Sequence, residues 1–276
     1  MTDTRYGSIG SELSAVQVWV CSNEDLPMEF AETLASHWLD EGERHTAGRF
    51  IFDRDREQYL VAHTFVRRIL GLELGIPEAE LSIGRTEKGR PFLDGADTLA
   101  RRSRVRPDFN LSHTRGVNVV AVGHGRRVGI DVERVDRTSR SRLDLFSGVF
   151  SEREQRWLGA LPEERRPYAL LRLWTLKEAY TKARGLGMSL PFDSFDFTLS
   201  AERGVLEFRP PPCDESGLWR FVELQPSPRS LVALAIDVSG GLPARKIEIR
   251  HGFPWKQPEP VLVTLPQSLV VAEEHY

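Results

Sequence analysis

The strongest apolar stretches of this chain, near Val117–Val122 and Leu231–Ile236, are no longer than a β-strand. A membrane-spanning helix needs about 18 or more consecutive apolar residues, and none occurs. Met1 to Leu13 is polar and lacks the apolar centre of a secretion signal. Short apolar runs can be buried only by stacking strands against other elements, here against amphipathic helices. With 276 residues, 40% of them apolar, the chain can bury one large core or two modest ones. Soluble domains usually run about 100–200 residues, which favours two subdomains.

The net charge of -3 and pI near 6.2 give no global attraction to nucleic acid or to an anionic membrane. Cys21 and Cys213 are far apart in a chain that is not small, the pattern of free thiols in a reducing cytosol. A cytoplasmic protein is the expectation.

Residues 16–20 alternate and predict a strand. Pro27 to Leu39 has helical spacing, and a longer helix is predicted over about Asp55 to Leu70, broken by Gly71, Gly75 and Pro77. Val117 to Val122, a Gly123-His124-Gly125 turn and Val128 to Val132 predict a β-hairpin. Arg134 to Arg142 reads as a surface connection. Ser151 and Glu154 form a capping-box pattern that starts a helix. Pro162 and Pro167 interrupt, and the next helix runs from about Tyr168 to Arg184 with Gly185 ending it. Phe195 to Leu199, Trp219 to Glu223 and Leu231 to Ile236 predict further strands. The tail beyond His251 carries little signal.

Asp131 and Glu133 lie two apart at the end of a predicted strand, so both side chains leave one face. Paired carboxylates in a partly buried cleft need a cation, an arginine or a raised pKa, whereas on open surface they are an ordinary solvated strand end. Glu178 sits at the margin of the apolar side formed by Leu170, Leu171 and Trp174. Lys182, one turn on, can pair with it as a common helix-surface ion pair or project beside it. Three carboxylates without a cysteine cluster favour Mg²⁺ or Mn²⁺ over Zn²⁺. Ser112 and His113 are adjacent on an extended chain and point oppositely, which disfavours a nucleophile–base pair; both suit phosphate contact, as do Arg90 and Arg115. His37, His45, His63, His124 and His251 have no comparable setting.

Five segments together resemble the 4'-phosphopantetheinyl transferase superfamily, and within it the long monomeric type that modifies carrier proteins of polyketide and nonribosomal peptide synthesis. They are Gly89-Arg90-Pro91, Phe109-Asn110-Leu111-Ser112-His113, Gly129-Ile130-Asp131-Val132-Glu133, Phe150-Ser151-Glu152-Arg153-Glu154, and Trp174 through Lys182. They fall in the family's order across about residues 89–191.

The resemblance implies an α/β (α+β) fold: a pseudo-twofold pair of similar subdomains, each a helix packed on a small antiparallel sheet, divided as 1–125 and 126–276. It implies a Mg²⁺-dependent enzyme, with Mn²⁺ as the other metal of suitable chemistry. The enzyme would transfer 4'-phosphopantetheine from coenzyme A to a serine of an acyl or peptidyl carrier protein, releasing adenosine 3',5'-bisphosphate. Asp131, Glu133 and Glu178 match the metal-binding acids, with Glu178 also the base and Lys182 beside the transferred phosphate. Ser112 and His113 match phosphate contacts, Arg90 takes a place often held by lysine, and Arg44 and Arg49 are candidates for the 3'-phosphate. Coenzyme A and the carrier are the expected partners of a monomer, with no nucleic acid or membrane. A metal-dependent phosphohydrolase of a nucleotide-like substrate and a non-enzymatic coenzyme A or carrier-binding protein are the alternatives. Retention of all three acids speaks against the second.

Overall fold

The alternating residues 16–20 become β1 (Ala15–Ser22) in the computed structural model, which describes residues 15–95, 107–135, 148–214, 218–240, 246–255 and 260–265. After β1 come α1 (Met28–Trp38), α2 (Glu41–Ala47), the long α3 (Asp53–Leu74), β2 (Ile83–Arg85), β3 (Pro91–Leu93), β4 (Pro107–Thr114) and β5 (Val117–His124). The second half runs through β6 (Val128–Arg134), α4 (Glu152–Ala160), the long α5 (Arg166–Arg184), β7 (Asp196–Leu199), β8 (Val205–Arg209), β9 (Trp219–Ser227) and β10 (Ser230–Asp237).

The two halves repeat one plan: a strand, helices ending in a long one, a short hairpin, then a longer hairpin. Their pairing repeats as well. The first sheet contains β1-β5-β4 and the second is β6-β10-β9, each triplet antiparallel throughout. This is the pseudo-twofold α/β architecture that the sequence leads one to expect.

Burial follows the strand period. Val120 and Val122 of β5 join Phe65, Ile69 and Leu70 of α3 in one core. Ala233 and Ala235 of β10 join Leu173, Leu176 and Tyr180 of α5 in another. The opposite faces, including Val119 and Ala121 from one sheet and Ile130, Val232 and Leu234 from the other, pack together between the sheets. The layers are therefore helix, sheet, sheet, helix. Among the described residues no helix is long and apolar enough to cross a membrane.

Four expectations need correction. β6 does not form a hairpin with β5, whose two edges are taken by β1 and β4; β6 crosses instead to β10. Gly71 lies inside α3, where an added Cβ would come 2.9 Å from the Ile76 carbonyl oxygen, and Gly75 at φ 61 ends the helix. Pro167 stands in the first turn of α5, where proline costs no hydrogen bond. Finally, β11 (Lys246–His251) pairs in parallel with β1, and β12 (Val261–Thr264) pairs with β11. β11 and β12, from a tail in which the sequence carries little signal, thus belong to the first sheet. The expected connection Arg134 to Arg142 lies largely outside the described residues.

The two sheets meet along an unusual seam. β4 and β6 share no backbone ladder, yet alternate side chains of β4 accept from alternate amides of β6. Val128 N donates to Asp108 Oδ2 at 2.8 Å, Ile130 N to Asn110 Oδ1 at 2.9 Å, and Val132 N to Ser112 Oγ at 3.4 Å. Buried amides need such partners, and three polar side chains at period two supply them.

Candidate active site

Gly129 decides how close α5 comes to β6. A Cβ there would lie 2.0 Å from the Ala179 carbonyl oxygen and 2.4 Å from the Ala183 amide, so only glycine lets helix and strand backbones touch. That contact brings Lys182 to the strand carrying Asp131. Lys182 Nζ donates to Asp131 Oδ1 at 2.6 Å and to Ser112 Oγ at 2.9 Å, and Ser112 Oγ donates to Asp131 Oδ1 at 2.8 Å. Residues from β4, β6 and α5 thus meet in one cluster.

Asp131 is buried, and its second oxygen, Oδ2, has no hydrogen-bond partner among the described residues. A buried carboxylate oxygen left over in this way is costly. Glu178, half-buried on α5, has its pKa pushed up to about 7, first by burial and then by the negative Asp131 and Glu133, with Lys182 opposing. The three acids therefore feel one another. Among the described residues, however, no group of three His, Cys, Asp or Glu side chains closes into a metal-holding arrangement. Like charges repel, and Asp131 turns one oxygen to Lys182. The donor set nonetheless fits a hard divalent cation: it offers oxygen ligands only, one of them an orphaned buried oxygen. Asp131 Oδ2, Glu133 and Glu178 are the groups that would hold it.

Two cavities flank the cluster. One, of about 1320 Å³, is lined by Ser112, His113, Arg115, Asp131, Glu133 and Lys182 among others. The other, of about 650 Å³, is lined among others by Glu43, His63, Arg85, Lys88 and Arg90. Tyr59 and Lys182 line both, so the cavities adjoin at these two side chains. Glu178 is not among the lining residues of either. His113 is exposed at the larger cavity, where surrounding protein first, and then the positive Lys182, hold its pKa below the ordinary imidazole value.

The arginines divide. Arg90 has its guanidinium engaged by Asp108 and by the carbonyl oxygens of Val128 and Lys182. Arg44 and Arg49 are exposed and line neither cavity; Arg44 donates to the Leu39 carbonyl at the end of α1. Of the remaining site residues, Ser112, His113, Asp131, Glu133 and Lys182 come together at one cavity, and Glu178 does not line it.

Sequence reasoning passed over His63 and Tyr59. His63 pairs with Glu43 at 2.7 Å, and its ring stacks on Tyr59 with centroids 3.9 Å apart. The available signal was the i, i+4 spacing of the two rings on the predicted helix, which puts them on one face.

The chain's sequence is similar to that of known proteins. The model of the 4'-phosphopantetheinyl transferase superfamily matches residues 127–234, and that of the 4'-phosphopantetheinyl transferase N-terminal region matches residues 25–124. The 4'-phosphopantetheinyl transferase HetI of Nostoc sp. is 30% identical over 220 residues, covering 79% of this chain and 86% of the relative. The L-aminoadipate-semialdehyde dehydrogenase-phosphopantetheinyl transferase of Xenopus laevis is 28% identical over 222 residues, covering 76% and 72%. Among solved structures, a holo-(acyl-carrier-protein) synthase from Bacillus anthracis in complex with CoA (3',5'-ADP) aligns at 20% identity and a TM-score of 0.34, covering 40% of this chain and 93% of that one. The chain belongs to the 4'-phosphopantetheinyl transferase superfamily and is an enzyme of that class.

Proposed function

We propose that this enzyme moves 4'-phosphopantetheine from coenzyme A to a serine of an acyl or peptidyl carrier protein, with adenosine 3',5'-bisphosphate as the leaving product. The observation that carries the reading is the Lys182–Asp131–Ser112 cluster at the junction of two cavities. Coenzyme A is a long ligand with a pyrophosphate between its two ends. Adjoining cavities that meet at an ammonium group suit such a shape. The name of the matched relative, a 4'-phosphopantetheinyl transferase, supports the group transferred.

Lys182 is set to donate to pyrophosphate oxygens, exchanging its hydrogen bonds to Ser112 and Asp131 for charge that grows as the bond breaks. Ser112 and His113 line the same cavity and can orient phosphate oxygens. Glu178 is the group assigned to receive the proton of the carrier hydroxyl, since a neutral hydroxyl attacks phosphorus poorly. Asp131, Glu133 and Glu178 would hold Mg²⁺ or Mn²⁺, which would supply electrostatic neutralisation of the phosphates. One chain supplies both halves of the site, which supports action as a monomer.

The test is incubation with coenzyme A, Mg²⁺ and a panel of apo carrier proteins, read by intact mass. A gain of one arm is expected, and Asp131→Ala should cut the rate at least about a hundredfold, or roughly 2.7 kcal/mol. Turnover of coenzyme A without any carrier would point to a phosphohydrolase instead.

A further inference from the structure

Arg90 holds together the three elements that carry the reactive cluster. Its backbone is fixed in the β2–β3 turn: Gly89 N and Arg90 N donate to Thr86 O and Thr86 Oγ1 at 2.8 and 3.1 Å, and Gly89 adopts φ 82. Its side chain is 8% exposed. One guanidinium nitrogen donates to the Lys182 carbonyl oxygen in the last turn of α5. The other reaches Asp108 Oδ2 on β4 at 2.5 Å and the Val128 carbonyl oxygen on β6 at 3.0 Å. Asp108 also accepts from Val128 N, so carboxylate and guanidinium together close both backbone groups of Val128. The stem of Arg90 runs over Gly185, where an added Cβ would meet its Cδ at 2.9 Å.

The elements gripped are the ones that supply Ser112 (β4), Asp131 (β6) and Lys182 (α5). Asp108 and Ser112 lie four apart on one face of β4, and the same lysine whose carbonyl is gripped sends its ammonium to Asp131. A planar fork can bridge three fixed acceptors, which a single ammonium spans less well. A cation at this position also complements the negative end of α5.

We propose that Arg90 is a positioning residue of the transfer site: it fixes β4, β6 and α5 against one another so that the Lys182 ammonium stays on Asp131 and Ser112. Its guanidinium acts through this bracing rather than as a ligand of coenzyme A phosphate. The inference rests on the transfer reaction proposed above.

Two variants loosen the brace from opposite sides. Arg90→Met removes the fork, and Asp108→Asn weakens its anchor without touching any group that a phosphate would contact. Both should lower kcat about tenfold or more while KM for coenzyme A stays within about threefold. Because Arg90 acts through Lys182, the Arg90→Met/Lys182→Ala double variant should be no slower than Lys182→Ala alone. A second readout does not depend on transfer: amine labelling with mass spectrometry. Labelling of Lys182 should accelerate in Arg90→Met, while labelling of Lys246 stays as in the wild type. A raised KM with kcat retained would make Arg90 a phosphate ligand and overturn the proposal. So would full kcat in Asp108→Asn, additive losses in the double variant, or unchanged labelling at Lys182. A wild-type enzyme that modifies no carrier would instead remove the functional reading, and the labelling comparison would still decide the role of Arg90.

Discussion

The backbone amide of Ile130 donates to Asn110 Oδ1 at 2.9 Å, a hydrogen bond between strands of two different sheets. Asn110 is 4% exposed and Ile130 fully buried, so water is poorly placed to replace this acceptor. Asn110→Leu should therefore destabilise the fold by about 1–3 kcal/mol, the cost of an unsatisfied buried amide. Urea unfolding should report a lower midpoint with an unchanged slope. An unchanged midpoint would mean that the seam contributes nothing.

Gly129→Ala should be more damaging. Its methyl would meet α5 backbone at 2.0 and 2.4 Å, and backbone cannot rotate away as a side chain can. Overpacking of this kind costs about 1–3 kcal/mol or more. The helix has to lift from β6, separating Lys182 from Asp131. Melting temperature and transfer rate should fall together; a variant with normal rate would show that the close approach is incidental.

His113 should make coenzyme A binding pH-dependent. Its pKa is held below the ordinary imidazole value by the protein around the ring and by Lys182, so the neutral form is favoured in the ligand-free enzyme at neutral pH. If it holds a phosphate, ligand favours the imidazolium and binding takes up a proton. Affinity for coenzyme A should then strengthen as pH falls from neutral, levelling off below the ligand-free pKa. The fold itself responds in the same range: a depressed imidazole pKa gives stability that is present above about pH 6.5 and lost below it. Calorimetry in buffers of differing ionisation enthalpy should detect the proton uptake, and His113→Ala should abolish it while raising KM for coenzyme A. Equal losses with dephospho-coenzyme A would remove His113 from contact with the 3'-phosphate.

Lys177 and Glu154 form an ion pair 2.9 Å apart in which neither side chain has any exposure. Lys177 also donates to the carbonyls of Phe192 and Phe195, and Glu154 accepts from the amides of Ser151 and Phe197. Removing one partner of such a pair costs about 3–5 kcal/mol. Lys177→Met should lose stability on that scale, and Lys177→Met/Glu154→Gln should lose less, because no charge is then left stranded, although the amide oxygen can replace only one of the two carboxylate oxygens that accept from backbone. Equal losses in denaturant titrations would mean that the stranded charge is not what matters.

Local chemistry made much of this molecule legible. Ser151 and Glu154 predict the capping box that opens α4, and Gly185 predicts the left-handed end of α5 at φ 67. The two-residue spacing of Asp131 and Glu133 indicates their shared face. What escaped was pairing at a distance. Val117–Val122 and Val128–Val132 look like partners because they are apolar and close in sequence, but nothing in either strand says that the edges of β5 are filled by β1 and β4. Lys177 lies beside Glu178 in one motif, yet its ammonium is sealed in the core while Lys182 reaches the cluster. Helical spacing suggests which residues share a face; it does not say which face the two sheets will cover. Arg90 is a further case: sequence marks it as a basic residue, but its three acceptors on β4, β6 and α5 become visible only in the fold.

The return of β11 to β1 bears on how the chain is made. β1 emerges from the ribosome before the other described strands, and its partner on one side, β5, follows after about a hundred residues. The other edge waits for Lys246–His251, which are synthesised after every strand of the second sheet. Throughout that interval the nascent chain carries an open strand edge of Val16, Val18 and Val20, the kind of surface that recruits a neighbouring chain. β11 and β12 thus act as a closure, and a polypeptide halted after Asp237 would leave the ribosome with one edge of β1 still seeking a partner.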